Sequence, residues 1–381
     1  MRSTVLDPEH LDFRAMVRAF VEKEVTPHYD RWEAAGRVDP AVWRAAGRAG
    51  LLGIDQPVEY GGGGEPDVRF PAIVTAELAR AGALAVGFPL HNDVIGPTLR
   101  RWADDGQKRR WLPPFCAGEL VTAIAVTEPA AGSDLGGLAA SARRDGDAYV
   151  LNGSKCFVSN GLTAGLILVA VRTAPPETPR GGLTLLAVEA GTPGLSRIPS
   201  GEMIGLRAQD SAELFFDDAR VPAANLLGRE GHGLPVLLGN LARERMSIAV
   251  AALAGAEAVH RETLRHVRER TVSGRPLGSL QHVRFELAEM ATELEVTLSH
   301  LDHCLLEQNA GRLDDVAAAG AKWWTTDVQR RIVDRCLQLH GGLGYSRGSR
   351  VARAYVDTRM APLYGGANEV MKEIIGHSLG L

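Results

Sequence analysis

The sequence predicts an α+β protein in which two helical regions flank a compact β domain. Three observations support this prediction: helical periodicity over residues 1–120, short β-rich runs over 121–230, and renewed helical periodicity over 231–381. The chain has 381 residues, 45% of them hydrophobic, which is enough for two or three packed subdomains. We therefore expect three domains with these boundaries.

The N-terminal region is predicted to begin with a helix. Asp7 is its predicted N-cap and Pro8 its first residue, a position where the missing N–H of proline costs nothing. Pro27 is predicted to end this helix. The stretch VEYGGGGEPD is predicted to be a loop because of its glycines.

The middle region consists of short runs rich in β-forming residues and bounded by Gly, Pro and Asn. Asn152 and Gly153 form an Asn-Gly pair, which is a strong signal for a two-residue hairpin turn. The pattern predicts a compact β domain and leaves open whether it is a sandwich or a barrel.

The C-terminal region is predicted to be a helix bundle. Its first segment is LPVLLGNLARERMSIAVAALAGAEAVHRETLRHVRER, whose periodicity predicts one helix of about forty residues, longer than ordinary globular helices. Three more helical segments follow, the last of them beginning at Asn368.

Charge and composition exclude several classes of protein. A formal net charge of −4 argues against a broadly basic nucleic-acid surface. The N-terminus lacks the apolar core of a signal peptide, and no run approaches the ~18 apolar residues of a membrane span. Four scattered cysteines fit neither a disulfide framework nor a CxxC metal site: Cys116, Cys156, Cys304 and Cys336. We expect a soluble, cytoplasmic protein that binds neither nucleic acid nor membrane.

Three short stretches carry possible ligand chemistry. His300 and His303 have helical i, i+3 spacing but lack the further ligands that a zinc site needs, so no metal is expected. HGGLGY (340–345) has the glycines of a phosphate cradle, or of a turn that ends a helix. AVTEPAAGSD (125–134) offers hydroxyls and amides for a polar ring and a phosphate, although a plain turn uses the same residues.

Glu244 is a carboxylate on an apolar helix face. At about 100° per residue, five apolar or small residues share its side: Leu237, Leu241, Ile248, Ala251 and Gly255. Desolvation on such a face raises the pKa of a carboxyl group towards the range useful for a general base. The structural alternative is an ion pair with an arginine of a neighbouring helix.

Several of these motifs, in their order along essentially the whole chain, resemble the acyl-CoA dehydrogenase family. VTEPAAGSD resembles the family's TEPxAGSD signature, GSKCFVSNG its KxxITNG hairpin, and QLHGGLGY its QxxGGxGY loop. The resemblance implies an N-terminal helical domain, a middle β-barrel and a C-terminal four-helix bundle. It also implies FAD as cofactor and oxidation of a saturated acyl-CoA thioester to the trans-2-enoyl thioester in fatty acid metabolism. Electron-transferring flavoprotein is the usual acceptor.

The resemblance assigns flavin-binding residues by motif. The amide of Val126 and the hydroxyl of Thr127 would meet the pyrimidine end of the flavin. Phe157 stands where the family often has a tryptophan packed on the ring, and Ser159 takes the position of a threonine near N5. In the loop 125–134, Gly132 and Ser133 are also assigned to the cofactor. Ser133 would meet the pyrophosphate.

A second group of residues is expected to hold the ADP part of FAD bound to a neighbouring subunit. These residues are Arg270, Gln281, Gln338, Gly341 and Gly342. Such shared sites imply at least a homodimer, and a homotetramer is the commoner state in the family.

PLYGGANEV (362–370) resembles the family's IYEGTxEI, in which the glutamate after the tyrosine is the usual catalytic base. Here that position is Gly365, which keeps only a backbone contact to the substrate carbonyl. A subset that includes the long-chain and isovaleryl types uses a glutamate of the first bundle helix instead, and LARERMSIA puts Glu244 there. Glu244 is therefore the predicted base. Further predicted substrate contacts are Ser133, Arg245 and Tyr364.

Two departures from the family pattern bear on the cofactor. Ser273 replaces a phenylalanine that contacts the neighbour's cofactor, and Ala367 replaces a threonine near the flavin. Ala367, Asn368 and Glu369 are nevertheless predicted to bind the cofactor, less tightly than in relatives. The alternatives are dehydrogenation of a carrier-protein thioester, a flavin oxidase or oxygenase, and a flavin-binding protein without dehydrogenase activity.

Overall fold

The computed structural model describes residues 3–174 and 182–381. In these ranges, six α-helices precede the sheet and six follow it, in agreement with the three predicted regions. They are α1 (Pro8–Phe20), α2 (Tyr29–Ala35), α3 (Pro40–Arg48), α4 (Arg69–Ala81), α5 (Gly96–Trp102), α6 (Asp105–Cys116), α7 (Gly233–Leu238), α8 (Leu241–Glu269), α9 (Gln281–Asn309), α10 (Asp315–His340), α11 (Arg350–Asp357) and α12 (Asn368–Ser378).

Within the residues that the structure describes, eight strands form the middle domain, and two more form a small ribbon in the bundle. They are β1 (Thr122–Ala125), β2 (Ser141–Asp145), β3 (Ala148–Ser159), β4 (Leu166–Arg172), β5 (Leu183–Glu189), β6 (Leu195–Pro199), β7 (Ser211–Pro222), β8 (Leu226–Leu227), β9 (Thr271–Val272) and β10 (Arg275–Pro276). The large sheet has the order β6-β7-β3-β2-β4-β5-β8, with β1 parallel to β4.

The large sheet folds back on itself as a flattened barrel. Strands β2 and β4 share a single register pair, Ser141 with Arg172, and this narrow junction divides the sheet into two halves. Side chains of both halves meet in one core, with Tyr149 and Leu214 from one half and Val169 and Leu186 from the other. The predicted middle β-barrel is thereby confirmed.

The hairpin predicted at Asn152-Gly153 is wrong, because these residues lie inside the continuous strand β3. The turn between β2 and β3 is at Gly146, which has a φ of 64°. Gly153 instead takes part in a bulge, with a φ of 129°. A Cβ there would lie 2.8 Å from the Cα of Ala140, so the glycine allows two backbones to approach closely.

In the bundle, α8 and α10 run in the same direction. Arg245 near the start of α8 pairs with Asp315 at the start of α10, and Thr263 meets His340 at their other ends. Helices α8 and α10 pack directly on each other, α9 packs antiparallel against both of them, and α12 packs against α10. A core of apolar side chains from α8, α9 and α10 holds the bundle together.

The predicted forty-residue helix is interrupted, which corrects the sequence prediction. The short helix α7 ends before Gly239, and α8 starts after Asn240. The Asn240 side chain donates a hydrogen bond to the carbonyl oxygen of Asp93 at 2.6 Å. The break is therefore anchored to the N-terminal domain, a tertiary contact that helical periodicity cannot reveal.

Two details of the helical regions also differ from expectation. Pro27 does not end the helical path, because it lies in a 3₁₀ turn (Thr26–His28) that leads directly into α2. Proline is tolerated in the first positions of a helical turn, where its N–H is not needed. Helix α11 was not predicted; Ser349 caps it by accepting a hydrogen bond from the Ala352 N–H.

Within the described ranges, no helix is both long and apolar enough to cross a membrane.

Candidate active site

A cavity of about 220 Å³ lies where the three domains meet. One face of α8 forms a wall of it, beginning at Glu244 and continuing through Ile248. The β domain contributes Phe157 and Ser159, and the loop before α12 contributes Tyr364. The structure thus brings together five residues from distant parts of the sequence, four of which were predicted site residues.

Glu244 lies in the first turn of α8 and is half-buried at the cavity. Burial raises the pKa of its carboxyl group, and the nearby charges of Arg245 and Lys322 oppose that effect. Its carboxylate forms no ion pair with any residue in the described ranges, and Arg245 pairs instead with Asp315 at 3.6 Å. The ion-pair alternative for Glu244 is therefore not what the geometry shows.

Gly365 lies directly opposite Glu244. Its φ is +62°, and a Cβ there would lie 2.2 Å from Cδ1 of Ile248 and 3.3 Å from Oε1 of Glu244. The two sequence positions at which a base is expected therefore lead to the same point in space. A side chain at residue 365 would be strained by the positive φ and would require Ile248 to move.

The loop that contains Gly365 is tied down by Lys322, which sequence reasoning missed. The fully buried Lys322 ammonium donates to the carbonyl oxygen of Gly366 at 2.8 Å and to Oδ1 of Asn368 at 3.0 Å. Asn368 also donates to the hydroxyl of Thr326 at 3.0 Å. Burial lowers the pKa of Lys322 to about 8, and the Arg245 charge adds to this effect. A lysine within the apolar stretch AAAGAKWW was the available signal.

On the β-domain side, a buried ion pair fixes the loop 126–134. Lys155 on β3 donates to the carbonyl oxygen of Val126 at 2.9 Å and to Glu128 at 2.7 Å. Glu128 also accepts hydrogen bonds from the Ala139 and Ala140 amides. These contacts hold the loop against the sheet and leave the backbone around Gly132 and Ser133 exposed.

Phe157 is exposed although it is a large aromatic residue on a strand. It has a φ of 56° in the irregular stretch of β3 between Lys155 and Val158, and 60% of its surface is accessible. A non-glycine residue with positive φ is uncommon, and such strain often marks a ligand site. An aromatic ring presented to a cavity fits a flat aromatic ligand, because such rings stack. The exposed Phe157 ring therefore fits the expected flavin.

The residues assigned to a neighbour's cofactor lie together at the far end of the bundle. There the end of α8, the start of α9 and the end of α10 meet. All five are exposed and none lines the cavity: Arg270, Gln281, Gln338, Gly341 and Gly342. HGGLGY begins with the last residue of α10 and continues as a 3₁₀ turn (Gly341–Tyr345), so it ends the helix.

Several predicted contacts do not reach the cavity with their side chains. Arg245 is buried but does not line the cavity, and the Asn368 side chain is used in hydrogen bonds with Lys322 and Thr326 of α10. Ser133 is exposed, but it does not line the cavity. Tyr364 does line it, and burial raises the pKa of its hydroxyl to about 12.

The remaining loop residues and the histidine pair have other surroundings. Ala367 is the N-cap of α12, and Glu369 lies exposed in the first turn of that helix. His300 lies 3.7 Å from the Cys304 sulfur, and His303 is exposed.

Comparisons with known proteins cover the whole chain. Residues 7–119, 123–219 and 231–380 match the acyl-CoA dehydrogenase N-terminal, middle and C-terminal domains, respectively. The chain is 41% identical over 376 residues to the mitochondrial long-chain specific acyl-CoA dehydrogenase of Sus scrofa, covering 98% of this chain and 87% of that protein.

Two further relatives agree with this match. The mitochondrial isovaleryl-CoA dehydrogenase of Arabidopsis thaliana is 30% identical over 382 residues, covering 99% of this chain and 92% of that protein. The crystal structure of an acyl-CoA dehydrogenase from Geobacillus kaustophilus is 42% identical with a TM-score of 0.97, and each chain is covered completely. From these matches and from the geometry of its cavity, the chain belongs to the acyl-CoA dehydrogenase family.

Proposed function

We propose that this enzyme oxidises a saturated long-chain acyl-CoA thioester to the trans-2-enoyl thioester, with Glu244 as the catalytic base. The observation that carries the proposal is the unpaired Glu244 carboxylate at the cavity, opposite a glycine whose Cβ position lies 3.3 Å from it. A base must be positioned next to the proton that it removes, and it works best when its pKa is raised towards neutrality.

Two groups of the chain act on the thioester. Glu244 accepts the proton of the α carbon, and the β carbon loses a hydride, so that a carbon–carbon double bond forms between them. Negative charge grows on the thioester oxygen as the proton leaves, and a hydrogen-bond donor there lowers the barrier. The N–H of Gly365 has no partner in the described ranges and is available as that donor.

FAD fits the residues around the cavity and supplies the acceptor for the hydride when it is bound. Phe157 and Ser159 would hold its ring, together with the backbone of Val126 and the hydroxyl of Thr127. The exposed residues at the far end of the bundle, Arg270 among them, would hold the ADP part of a second copy's FAD. We infer a homodimer or homotetramer on this ground, with electron-transferring flavoprotein as the electron acceptor.

The length of the cavity supports a long acyl chain. Its lining continues along α8 from Glu244 to Val259, which is about 22 Å at the helical rise of 1.5 Å per residue. Three of the lining residues on this stretch are small, and so leave room for a chain: Ala251, Ala252 and Gly255.

The domain boundaries at 120 and 230 and the cytoplasmic location stay predictions.

Anaerobic mixing with palmitoyl-CoA tests the proposal. We expect the FAD-loaded protein to be yellow, with about one FAD per chain, and to lose its flavin absorbance when the thioester is added. A protein that stays colourless after incubation with FAD, with an unchanged melting temperature, would contradict the cofactor assignment. A yellow protein that no acyl-CoA bleaches would contradict the reaction.

A further inference from the structure

Gln329 is a buried polar side chain on a largely apolar stretch of the cavity wall. It lies on α10, is 3% exposed, and lines the cavity next to Gly255 of α8. A Cβ on Gly255 would lie 2.9 Å from Nε2 of Gln329. The glycine therefore leaves the space that the carboxamide occupies.

The carboxamide of Gln329 lacks a partner for its oxygen. Oε1 is buried and makes no hydrogen bond with any residue of 3–174 or 182–381. Thr325, one helical turn earlier, also has a buried hydroxyl without a partner in the same ranges. An unpaired buried polar atom costs free energy, so each such atom calls for an explanation. A ligand that hydrogen-bonds Gln329 would remove this cost.

The surroundings favour a neutral partner over a charged one. The neighbouring wall residues Ala251, Ala252 and Val259 are apolar. The arginines that line the cavity, Arg350 and Arg353, already have acidic neighbours: Nε of Arg350 lies 3.7 Å from Glu262, and Arg353 pairs with Glu33 at 3.0 Å. A carboxamide both donates and accepts hydrogen bonds, and a hydroxyl group does the same. An alcohol is thus the ligand chemistry that matches Gln329.

We propose that the preferred substrate carries a hydroxyl group in the distal part of its acyl chain, hydrogen-bonded to Gln329. This inference rests on the proposed function, because it places the thioester beside Glu244. Gly255 lies three turns of α8 beyond Glu244, about 16 Å by the helical rise. The hydroxyl group would therefore be far from the reacting carbons and would act on binding alone.

The test compares positional isomers of hydroxylated long-chain acyl-CoA with the unsubstituted chain of the same length. kcat/KM is measured for each thioester, and Kd is measured for the matching trans-2-enoyl products from the change in the flavin spectrum. We expect one isomer to be preferred over the unsubstituted chain by about tenfold, the effect of one hydrogen bond. Gln329→Leu should abolish that preference in both measurements.

Two further variants separate recognition from folding. Gln308→Leu makes the same change at the end of α9, outside the cavity, and should leave the preference intact. Gln329→Met keeps the unbranched shape and should behave as Gln329→Leu does, with a melting temperature at or above that of the wild type. The increase is expected because an unpaired buried carbonyl is removed.

Each outcome decides the question. If the wild type prefers no hydroxylated isomer, or if Gln329→Leu changes all thioesters equally, the site holds buried water and the proposal is wrong. If the wild type is bleached by neither hydroxylated nor plain thioesters, the proposed function fails, and this inference fails with it. Bleaching by plain chains without any hydroxyl preference overturns the inference alone.

Discussion

The β domain and the helix bundle use buried charge in opposite ways near the cavity. In the β domain, Lys155 lies on the strand that carries Phe157 and Ser159 and forms a closed pair with Glu128, and both residues also bond to the surrounding backbone. In the bundle, the Glu244 carboxylate forms no ion pair with any residue that the structure describes, although the charges of Lys322 and Arg245 are close enough to lower its pKa. A satisfied charge fixes the chain around it, whereas an unsatisfied one is ready to accept a proton. The Lys155–Glu128 pair therefore suits a structural role in holding the loop, whereas Glu244 suits a role in the reaction.

Breaking the closed pair should have the largest effect. Lys155→Met leaves the Glu128 carboxylate buried without its cation, and removing one partner of a buried pair typically costs about 3–5 kcal/mol of the free energy of unfolding. Chemical denaturation measures this loss. Lys23→Met, at an exposed position, is the control and should change little. An unchanged midpoint for Lys155→Met would mean that the loop 126–134 is held by other contacts.

The same variant has a pH signature. Burial alone would raise the pKa of Glu128, but the hydrogen bond from Lys155 and the neighbouring amides hold it below its usual range. A lowered folded-state pKa contributes stability above the unfolded-state pKa of about 4.3, and this contribution is lost as pH falls through the folded-state pKa. The stability difference between wild type and Lys155→Met should therefore shrink below about pH 4.

Removing the Glu244 carboxylate should slow the dehydrogenation strongly and leave the fold unchanged. Glu244→Gln keeps the size of the side chain but cannot accept the α-proton, so flavin reduction should slow by at least ~10²-fold. Rapid-mixing absorbance measures the rate, while FAD content and thioester binding should stay near wild type. Glu269→Gln, at the exposed end of the same helix, should reduce at the normal rate. Wild-type bleaching by Glu244→Gln would place the base elsewhere.

Lys322 has both a structural and an electrostatic effect. Its ammonium group holds the loop that contains Gly365, and its positive charge lowers the pKa of Glu244. Lys322→Met removes a nearby positive charge, so the pKa of Glu244 should rise further. The acidic limb of log kcat/KM against pH should then move to higher pH. Lys372→Met, on exposed α12, should leave that limb in place. A loss of rate at every pH without a shift would give Lys322 a purely structural role.

The smallest expected effect lies away from both of these buried charges. Arg270 is exposed in the single chain and would pair with the pyrophosphate of a second copy's cofactor. Arg270→Ala should lower FAD occupancy while the circular dichroism spectrum stays unchanged. Arg268→Ala, two residues earlier and also exposed, is the matched control. A fully FAD-loaded monomer in sedimentation would contradict the shared site.

The sequence reveals residues of this site where a charged residue interrupts the apolar periodicity of a helix. Glu244 was predictable because a carboxylate on an apolar helix face is anomalous, and Lys322 carried the same signal in its own helix. The break at Gly239 and Asn240 was not predictable, because it depends on a contact with Asp93 in another domain. The misplaced hairpin has a similar cause, since the close approach of Ala140 decides the conformation of Gly153.

The meeting of residues 244 and 365 at one point constrains how such a site can change over generations. A carboxylate can be delivered to that point from the helix or, if Ile248 gives way, from the loop, so exchanging one source for the other takes changes at residues 244, 365 and 248. The intermediate with both carboxylates would meet the Ile248 side chain, and two like charges would repel each other. The intermediate with neither would be inactive. We expect a smaller residue at position 248 to open the path between the two arrangements.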